Sequence, residues 1–224
     1  MGAIRRNWLQ VLTHAAALTP LAIVAWRYGQ GQFFADPVRE ITTITGRTAL
    51  ILLWLSLAIT PAVTLTHIKM FTRLRRPLGL YAALYAGVHF LVFVGLDYRF
   101  DLPAIGEAIL YQRYVIVGFA AGVILLLLAL ISTQGWQRRL KRNWTRLHYL
   151  AYVAGVLVAA HFLWLVKDAR VPARYAIILG ILFIARVPPV QRFLARIRPR
   201  LMSEIGADNS HRSLLLDASE EQSK

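Results

Sequence analysis

The chain has 224 residues, 57% of them hydrophobic, and its mean hydropathy is +0.51. Only 17% of the residues are charged, which excludes an ordinary soluble domain, because such domains carry more charge and shorter apolar runs. The absence of cysteine excludes disulfides, thiolate-ligated iron–sulfur clusters and covalent haem attachment through a C-x-x-C-H motif. Any metal centre must therefore use histidine, methionine or carboxylate ligands.

Six apolar runs follow one another along the chain. Five contain about 19 residues, the length that a helix needs to cross roughly 30 Å of hydrocarbon, and the sixth is shorter and ends at Pro188-Pro189. Membrane spans of this kind must be helical, because lipid offers no partner to open backbone groups. The sequence therefore predicts an all-α, polytopic membrane helical bundle with about six transmembrane helices. The predicted spans are Trp8–Trp26, Thr48–Thr66, Leu78–Leu96, Tyr114–Ser132, Leu147–Val166 and Tyr175–Val187.

Lysine and arginine are unevenly divided between the two sides of this predicted bundle. Of 26 such residues, 18 fall in the N-terminus, the second and fourth links and the C-terminal segment, and 8 fall in the other three links. By the positive-inside rule the richer side faces the cytoplasm, so both termini are predicted to be cytoplasmic. The basic runs then serve as topology signals and contacts with membrane lipid, and no nucleic-acid partner is expected.

The chain is predicted to contain one membrane domain, residues 1–198, followed by a tail, residues 199–224. The tail is rich in Ser, Glu, Asp and Asn and is expected to be a disordered cytoplasmic segment. No Walker motif and no G-x-G-x-x-G motif in a strand–turn–helix context is present, so hydride transfer from a nicotinamide nucleotide is not expected of this chain alone. The sequence shows no convincing internal repeat.

Four histidines lie within or at the edges of the spans, and ionisable residues there are costly and usually functional. His89 comes 13 residues after Arg76, and His161 comes 13 residues after His148. At 1.5 Å per residue, both are then about 20 Å from the cytoplasmic edge. Two neutral imidazoles at one depth on different helices are what axial ligation of a b-type haem requires. The sequence predicts that His89 and His161 form this pair.

A second haem near the cytoplasmic side stays open. His148 lies at that level, but thirteen residues turn an ideal helix by about 220°, so a local bulge would be needed for His148 and His161 to share a site. At the same level the third span carries Arg75 and Arg76 instead of histidine, and His14 and His67 are only speculative partners. Small residues on the third and fifth spans either make room for a macrocycle or serve ordinary helix packing. These small residues are Gly79, Ala82, Ala83, Ala86, Ala151 and Ala154.

An ordered set of short motifs carries a resemblance to a known family. The motifs are Arg75-Arg76-Pro77-Leu78-Gly79-Leu80-Tyr81, Tyr85, His89-Phe90, Asp97, Arg113-Tyr114, Val117-Gly118, Ser132-Thr133, Trp144-Thr145-Arg146-Leu147-His148 and His161-Phe162-Leu163-Trp164. Over roughly residues 8–190 the chain resembles the MsrQ family (also called YedZ), haem-binding membrane subunits within the ferric-reductase-like transmembrane superfamily. Each motif is weak alone, and their order makes the resemblance specific.

The resemblance implies an electron-transfer subunit in the bacterial inner membrane. Such proteins take electrons from the quinone pool and pass them to a periplasmic molybdopterin subunit (MsrP-like), which reduces methionine sulfoxide in oxidised periplasmic proteins. The resemblance also implies haem b and FMN as cofactors. It makes His89, His148 and His161 metal ligands or haem-site residues, and the sulfoxide reduction itself belongs to the partner. Arg75, Arg76 and Trp144 at the basic cytoplasmic edge would suit the FMN phosphate.

Two other functions compete with this one. A membrane ferric or cupric reductase would use the same haem with a cytoplasmic flavoprotein donor and would need no periplasmic protein partner. A haem-free carrier of divalent metal would use the histidines directly, and it predicts carboxylates beside them within the spans. The nearby acidic residues all fall in links, which disfavours the carrier. They are Asp97, Asp101, Glu107 and Asp168.

Overall fold

The computed structural model describes residues 2–32 and 36–193, with the backbone alone for residues 2–7. These residues form α-helices joined by short links, and no strand occurs among them, so the predicted all-α class is confirmed. Two irregular helical segments flank the third helix, a 3₁₀ segment (Lys69–Leu74) and a π-helical segment (Phe93–Asp97). The α-helices are α1 (Gly2–Gly29), α2 (Pro37–Thr66), α3 (Arg75–Val92), α4 (Leu102–Tyr111), α5 (Arg113–Leu130), α6 (Gln134–Leu140), α7 (Arg142–His148), α8 (Leu150–Leu165) and α9 (Arg170–Ile184). The predicted tail, residues 199–224, lies outside the described residues.

Five helical segments of the described chain are long and apolar enough to cross a membrane, and they coincide with the first five predicted spans. The sixth predicted span corresponds to α9, which has 15 residues and a length of about 22 Å at 1.5 Å per residue. That length falls short of a hydrocarbon core of about 30 Å. The five segments are Trp8–Gly29, Pro37–Thr66, Lys69–Asp97, Arg113–Leu130 and Arg142–Leu165.

Helix α2 begins eleven residues before its predicted start at Thr48. The side chain of Asp36 caps it by accepting a hydrogen bond from the Arg39 backbone N–H, and Pro37 occupies the first turn. The charged residues of this segment led to its assignment to a link. In the structure Glu40 pairs with Arg27 at the end of α1, and α2 continues through the segment. The prediction of the α2 start was wrong for this reason, and the extension contributes directly to the candidate site.

The hydrophobic core lies where α2, α3, α5 and α8 meet, and α1 and α9 pack against its outside. The side chains of Leu57, Ala82, Tyr85 and Ala154 are almost completely buried in it. Many large apolar side chains instead point outward along the whole bundle, as on Leu91, which is 64% exposed. A soluble protein would not tolerate so continuous an apolar surface, whereas hydrocarbon solvates it.

Tyr85 of α3 bonds to the backbone of α1 beside a proline. Pro20 lies inside α1, where its ring displaces the preceding turn of backbone. The Tyr85 hydroxyl donates to the Ala17 carbonyl at 2.7 Å and accepts from the Leu21 backbone N–H at 3.0 Å. The hydroxyl thus bonds to two backbone groups of α1 on either side of Pro20. This bridge ties α1 to α3.

Replacing Tyr85 by phenylalanine is expected to lower the midpoint of thermal unfolding of the purified protein. The change keeps the buried ring and removes the two hydrogen bonds of its hydroxyl, at about 0.5–1.5 kcal/mol for each bond. Tyr111, which is 78% exposed, supplies the matched control, and Tyr111→Phe should leave the midpoint unchanged. Equal midpoints for both variants would show that the bridge adds no stability.

Candidate functional site

The structure brings the rings of His89 and His161 together between α3 and α8. Their centroids are 6.2 Å apart and their planes are nearly perpendicular, at 89°. An imidazole nitrogen binds a metal at about 2 Å, so two ligands on opposite sides of one ion hold their ring centroids roughly 6 Å apart. The two histidines therefore lie at one level, with the spacing of an axial ligand pair.

Each ring is oriented by a backbone carbonyl of a neighbouring helix. His89 Nδ1 donates to the carbonyl of Thr42 at 3.0 Å, and His161 Nδ1 donates to the carbonyl of Tyr114 at 2.7 Å. A carbonyl only accepts hydrogen bonds, so the proton of each neutral imidazole is held on Nδ1. The lone pair of each Nε2 is consequently available to a metal, as in most histidine metal sites.

Two glycines allow the rings to approach these helices. A Cβ at Gly46 would lie 2.9 Å from His89 Cε1, and a Cβ at Gly118 would lie 2.5 Å from His161 Nδ1. Any larger residue would push the imidazole away from its carbonyl. Sequence reasoning missed Gly46 and the carbonyl of Thr42, because both lie in the charged segment assigned to a link, and it noted Gly118 only as part of a motif.

The same arrangement occurs twice, although the sequence shows no convincing repeat. In the hairpin of α2 and α3, a carbonyl at Thr42, a glycine one turn later and His89 form the unit. The matching residues of α5 and α8, each 72 positions later, are Tyr114, Gly118 and His161. One contribution is a backbone carbonyl that any residue supplies, so the sequence displays the repeat only as a glycine and a histidine that recur 72 positions later.

His148 is held apart from this pair. Its Nδ1 donates to the carbonyl of Trp144 at 3.0 Å, and its ring centroid lies 3.9 Å from that of Trp144. The helix is interrupted directly after it, where the Tyr149 backbone N–H bonds to the Arg146 carbonyl three residues earlier. The helix is thus interrupted between His148 and His161, and the two histidines nevertheless lie at separate levels.

The other predicted site residues do not supply a second histidine for His148 in the described chain. His14 Nδ1 lies 3.0 Å from the Tyr81 hydroxyl, and His67 is exposed at the end of α2 with a left-handed φ of 56°. Arg75 is exposed at the start of α3, where its carbonyl accepts a hydrogen bond from the Ser56 hydroxyl at 2.9 Å. Arg76 is exposed, and the described contacts include none between it and His148 or Trp144.

The described histidines form a pair and not a larger cluster. Among the residues that the structure describes, no three His, Asp or Glu side chains converge on a common point. Divalent ions in a protein cage usually need three or four such ligands, whereas a haem needs only axial ones because the porphyrin supplies the rest. The arrangement of His89 and His161 fits a haem better than a bare ion.

Comparisons with known proteins agree with this geometry. Residues 45–159 match the family model described as ferric reductase like transmembrane component. The chain is 50% identical over 185 residues to a protein of Xanthomonas axonopodis pv. citri (strain 306) named protein-methionine-sulfoxide reductase heme-binding subunit MsrQ, covering 80% of this chain and 85% of that protein. A protein of the same name from Xanthomonas campestris pv. campestris (strain 8004) is 49% identical over 181 residues, or 78% and 83% of the two chains. No solved structure matches the chain. The predicted resemblance is therefore confirmed, and the chain belongs to the MsrQ family of ferric-reductase-like transmembrane proteins.

Proposed function

We propose that this chain is the haem-binding membrane subunit of a methionine-sulfoxide reductase system. In this proposal it is a b-type cytochrome that passes electrons from the quinone pool to a periplasmic, molybdopterin-containing subunit (MsrP-like). The partner then reduces methionine sulfoxide in oxidised periplasmic proteins. The observation that carries the proposal is the pair of imidazoles, His89 and His161, with their Nδ1 atoms bonded to carbonyls and their centroids 6.2 Å apart.

His89 and His161 fit haem b as axial ligands. When bound, the haem supplies an iron centre that accepts and releases one electron at a time. The protein contributes ligand identity, orientation and burial. Thr42 and Tyr114 fix the ring planes through their carbonyls, and Thr45, which is completely buried beside His89, adds a hydroxyl at 3.5 Å from its Nδ1. Because proton transfer at Nδ1 would break these hydrogen bonds, the site suits electron transfer without proton exchange at the ligands.

The position of the pair suits delivery of electrons to the outer side. Both histidines lie about 20 Å from the cytoplasmic edge of helices that run outward, so they fall in the outer half of the bilayer. A cluster of aromatic rings extends from the His89 helix, where Phe90 contacts Phe93 and Phe119 at centroid distances of 6.1 and 5.7 Å. A periplasmic partner would therefore have a short path to the haem edge.

The cytoplasmic end is the proposed entry side for electrons. His148 packs on the Trp144 ring with its Nδ1 bonded to the Trp144 carbonyl, which leaves Nε2 as the nitrogen that would bind a metal, so it remains a proposed haem-site ligand at this level. FMN, bound through its phosphate near Arg75, Arg76 and Trp144, is the second proposed cofactor. The proposed location is the bacterial inner membrane with both termini in the cytoplasm, as the distribution of basic residues predicts.

A reconstituted system tests the function. The haem-loaded protein in liposomes is mixed with a short-chain quinol, and haem reduction is followed by absorbance. Addition of the purified periplasmic molybdoprotein and a protein containing methionine sulfoxide should then reoxidise the haem, and omission of either should not. A His161→Ala protein should show neither step. Failure of the complete mixture to reoxidise the haem would refute the proposed partner.

One alternative is favoured by the match to the ferric reductase like component. A ferric or cupric reductase would share the haem and receive electrons from a cytoplasmic flavoprotein. In the same liposomes, this function predicts reoxidation by a chelated ferric or cupric ion at the outer surface without any protein partner. The two functions thus differ in the acceptor, and the acceptor is what the assay varies.

A further inference from the structure

His14 of α1 and Tyr81 of α3 form a polar pair on the side of the bundle. The His14 Nδ1 lies 3.0 Å from the Tyr81 hydroxyl, and the two ring centroids are 5.6 Å apart. His14 is exposed, whereas Tyr81 is partly buried against the hydrophobic core. Neither side chain makes another hydrogen bond within the described part of the chain, so the His14 Nε2 has no partner there.

The pair lies in the cytoplasmic half of the predicted membrane. His14 comes six residues after Trp8, where the first span begins, and Tyr81 comes six residues after Arg75, where α3 begins. Both residues are therefore about 9 Å inside the cytoplasmic ends of their helices. An exposed side chain at this depth faces hydrocarbon, so a ligand that reaches His14 must be dissolved in the membrane.

Other polar side chains of α1 satisfy their hydrogen bonds within the helix. Thr13 and Thr19 each donate to the carbonyl four residues earlier, at 2.7 and 2.9 Å. An imidazole nitrogen without a partner in hydrocarbon is costly, and ionisable residues within membrane spans are usually functional. A structural link between α1 and α3 does not account for His14, because Tyr85 already joins these helices through two backbone groups.

The pair can offer either a donor or an acceptor to a ligand. When the Tyr81 hydroxyl donates to Nδ1, the His14 Nε2 carries the ring proton and is a donor. When Nδ1 instead donates to the Tyr81 oxygen, Nε2 is an acceptor and the hydroxyl proton is free to bond elsewhere. A quinone headgroup accepts hydrogen bonds through its carbonyls, and the quinol donates them through its hydroxyls. The pair suits both forms, whereas the phosphate of a phospholipid only accepts.

We propose that His14 and Tyr81 bind the headgroup of a membrane-dissolved quinol. The inference rests on the proposed function, in which the quinone pool is the electron donor, and it supplies the residues that hold this donor. Leu18 and Leu84, each 45% exposed and one turn deeper on the same two helices, provide an apolar surface for the rest of the molecule. Tyr81 lies eight residues before His89 on α3, or about 12 Å along the helix, so the bound headgroup is near the haem pair.

Binding of the oxidised ligand tests the site apart from electron transfer. The purified, haem-loaded full chain in detergent is titrated with a short-chain ubiquinone, and the Kd is measured by isothermal titration calorimetry. His14→Leu removes both ring nitrogens, and Tyr81→Phe removes the hydroxyl and keeps the ring. The matched controls are Tyr28→Phe, at a tyrosine of α1 that is 63% exposed, and His67→Asn, at an exposed histidine whose left-handed backbone asparagine tolerates.

The Kd should rise about tenfold in His14→Leu and about threefold in Tyr81→Phe, which are the losses expected when one or two hydrogen bonds are removed. Both controls should bind as the wild type does. Haem reduction by a short-chain ubiquinol below saturation, followed by stopped-flow absorbance, should slow by the same factors. Reduction by dithionite, haem content and the haem spectrum should be unchanged in every variant, because the pair does not contact His89 or His161.

Equal Kd values for the wild type, His14→Leu and Tyr81→Phe would overturn the proposal, and so would a wild type that binds no quinone. If His14→Leu does not fold, Tyr81→Phe decides, because it keeps the packing of the ring. Failure of the proposed function is read separately. If binding depends on the pair and the quinol does not reduce the wild-type haem, the proposed electron donor is wrong and the site stands. If the quinol reduces the haem of the wild type and both variants at one rate, the donor stands and the site is wrong.

Discussion

Replacement of His161 by alanine is expected to remove one haem per chain, and His89→Ala should do the same. Each change takes away one of two axial ligands whose centroids lie 6.2 Å apart, and an alanine offers the iron no nitrogen. The measurement is the dithionite-reduced minus oxidised absorption spectrum of the purified protein, with haem content determined per chain. Loss of the low-spin b-type bands assigned to this pair is the expected result.

Two variants separate ligation from a general loss of structure. His14→Ala removes an imidazole whose contact is the Tyr81 hydroxyl, and it should keep the full haem content. His148→Ala should keep the haem held by His89 and His161 and lose any second haem at the cytoplasmic level. If His89→Ala and His161→Ala both retain the haem of the wild type, the proposed ligand pair is wrong.

Gly118→Ala is expected to be almost as damaging as loss of the histidine itself. The added methyl group would lie 2.5 Å from His161 Nδ1, where the carbonyl of Tyr114 now holds the proton. The imidazole must rotate or move away, and its Nε2 then leaves the ligand position. We expect most of the haem to be lost, or any that remains to have lost its low-spin spectrum. Gly118 therefore acts as a positioning residue for His161.

Gly122→Ala is the matched control for this change. Gly122 lies one turn further along α5, and an added Cβ there would meet no atom within 4 Å. It makes the same chemical change in the same helix and should leave haem content and spectrum unaltered. If Gly118→Ala also binds haem normally, the close approach of ring to helix is not required for ligation.

The milder substitution Gly46→Ala tests ring orientation in the other half of the site. Its Cβ would lie 2.9 Å from His89 Cε1, at a ring edge that can yield by rotation. The ring planes are now nearly perpendicular, a geometry that gives a strongly anisotropic low-spin ferric EPR signal. Rotation of His89 should shift that signal while the haem is retained. A general loss of stability would lower the haem content without shifting the EPR signal of the remaining haem. The EPR spectrum therefore distinguishes a changed ring orientation from a loss of folded protein.

The repeated unit of carbonyl, glycine and histidine positions both proposed ligands in the same way. In each unit one helix provides a carbonyl and a glycine, and a neighbouring helix provides the histidine. Because the two units face each other, their two rings lie at one level. At the level of His148 the units differ, since Arg76 occupies the position 72 residues before His148. The pairing of histidines is therefore complete only at the level of His89 and His161.

Much of the architecture was predictable because it depends on local properties of the chain. Apolar runs long enough to cross hydrocarbon identify the five spans, and the same lengths put His89 and His161 at equal depth. The start of α2 was misplaced because Arg39 and Glu40 are charged and therefore lower the hydropathy of this segment. In the structure Asp36 caps a helix there, and Glu40 pairs with Arg27. A helical segment whose charges are paired by tertiary contacts therefore looks like a link when only local composition is considered.

The sequence by itself determined the class of protein, the number and approximate limits of the long spans, and the depth of each histidine, because these follow from composition and from the fixed rise of a helix. The tertiary structure alone decided which ring faces which. The approach of His161 to Gly118 and the carbonyls that hold both Nδ1 protons depend on distances between residues far apart in the chain. Such distances arise from helix packing, which brings together residues far apart in the chain, and hydropathy and local composition do not record these pairings.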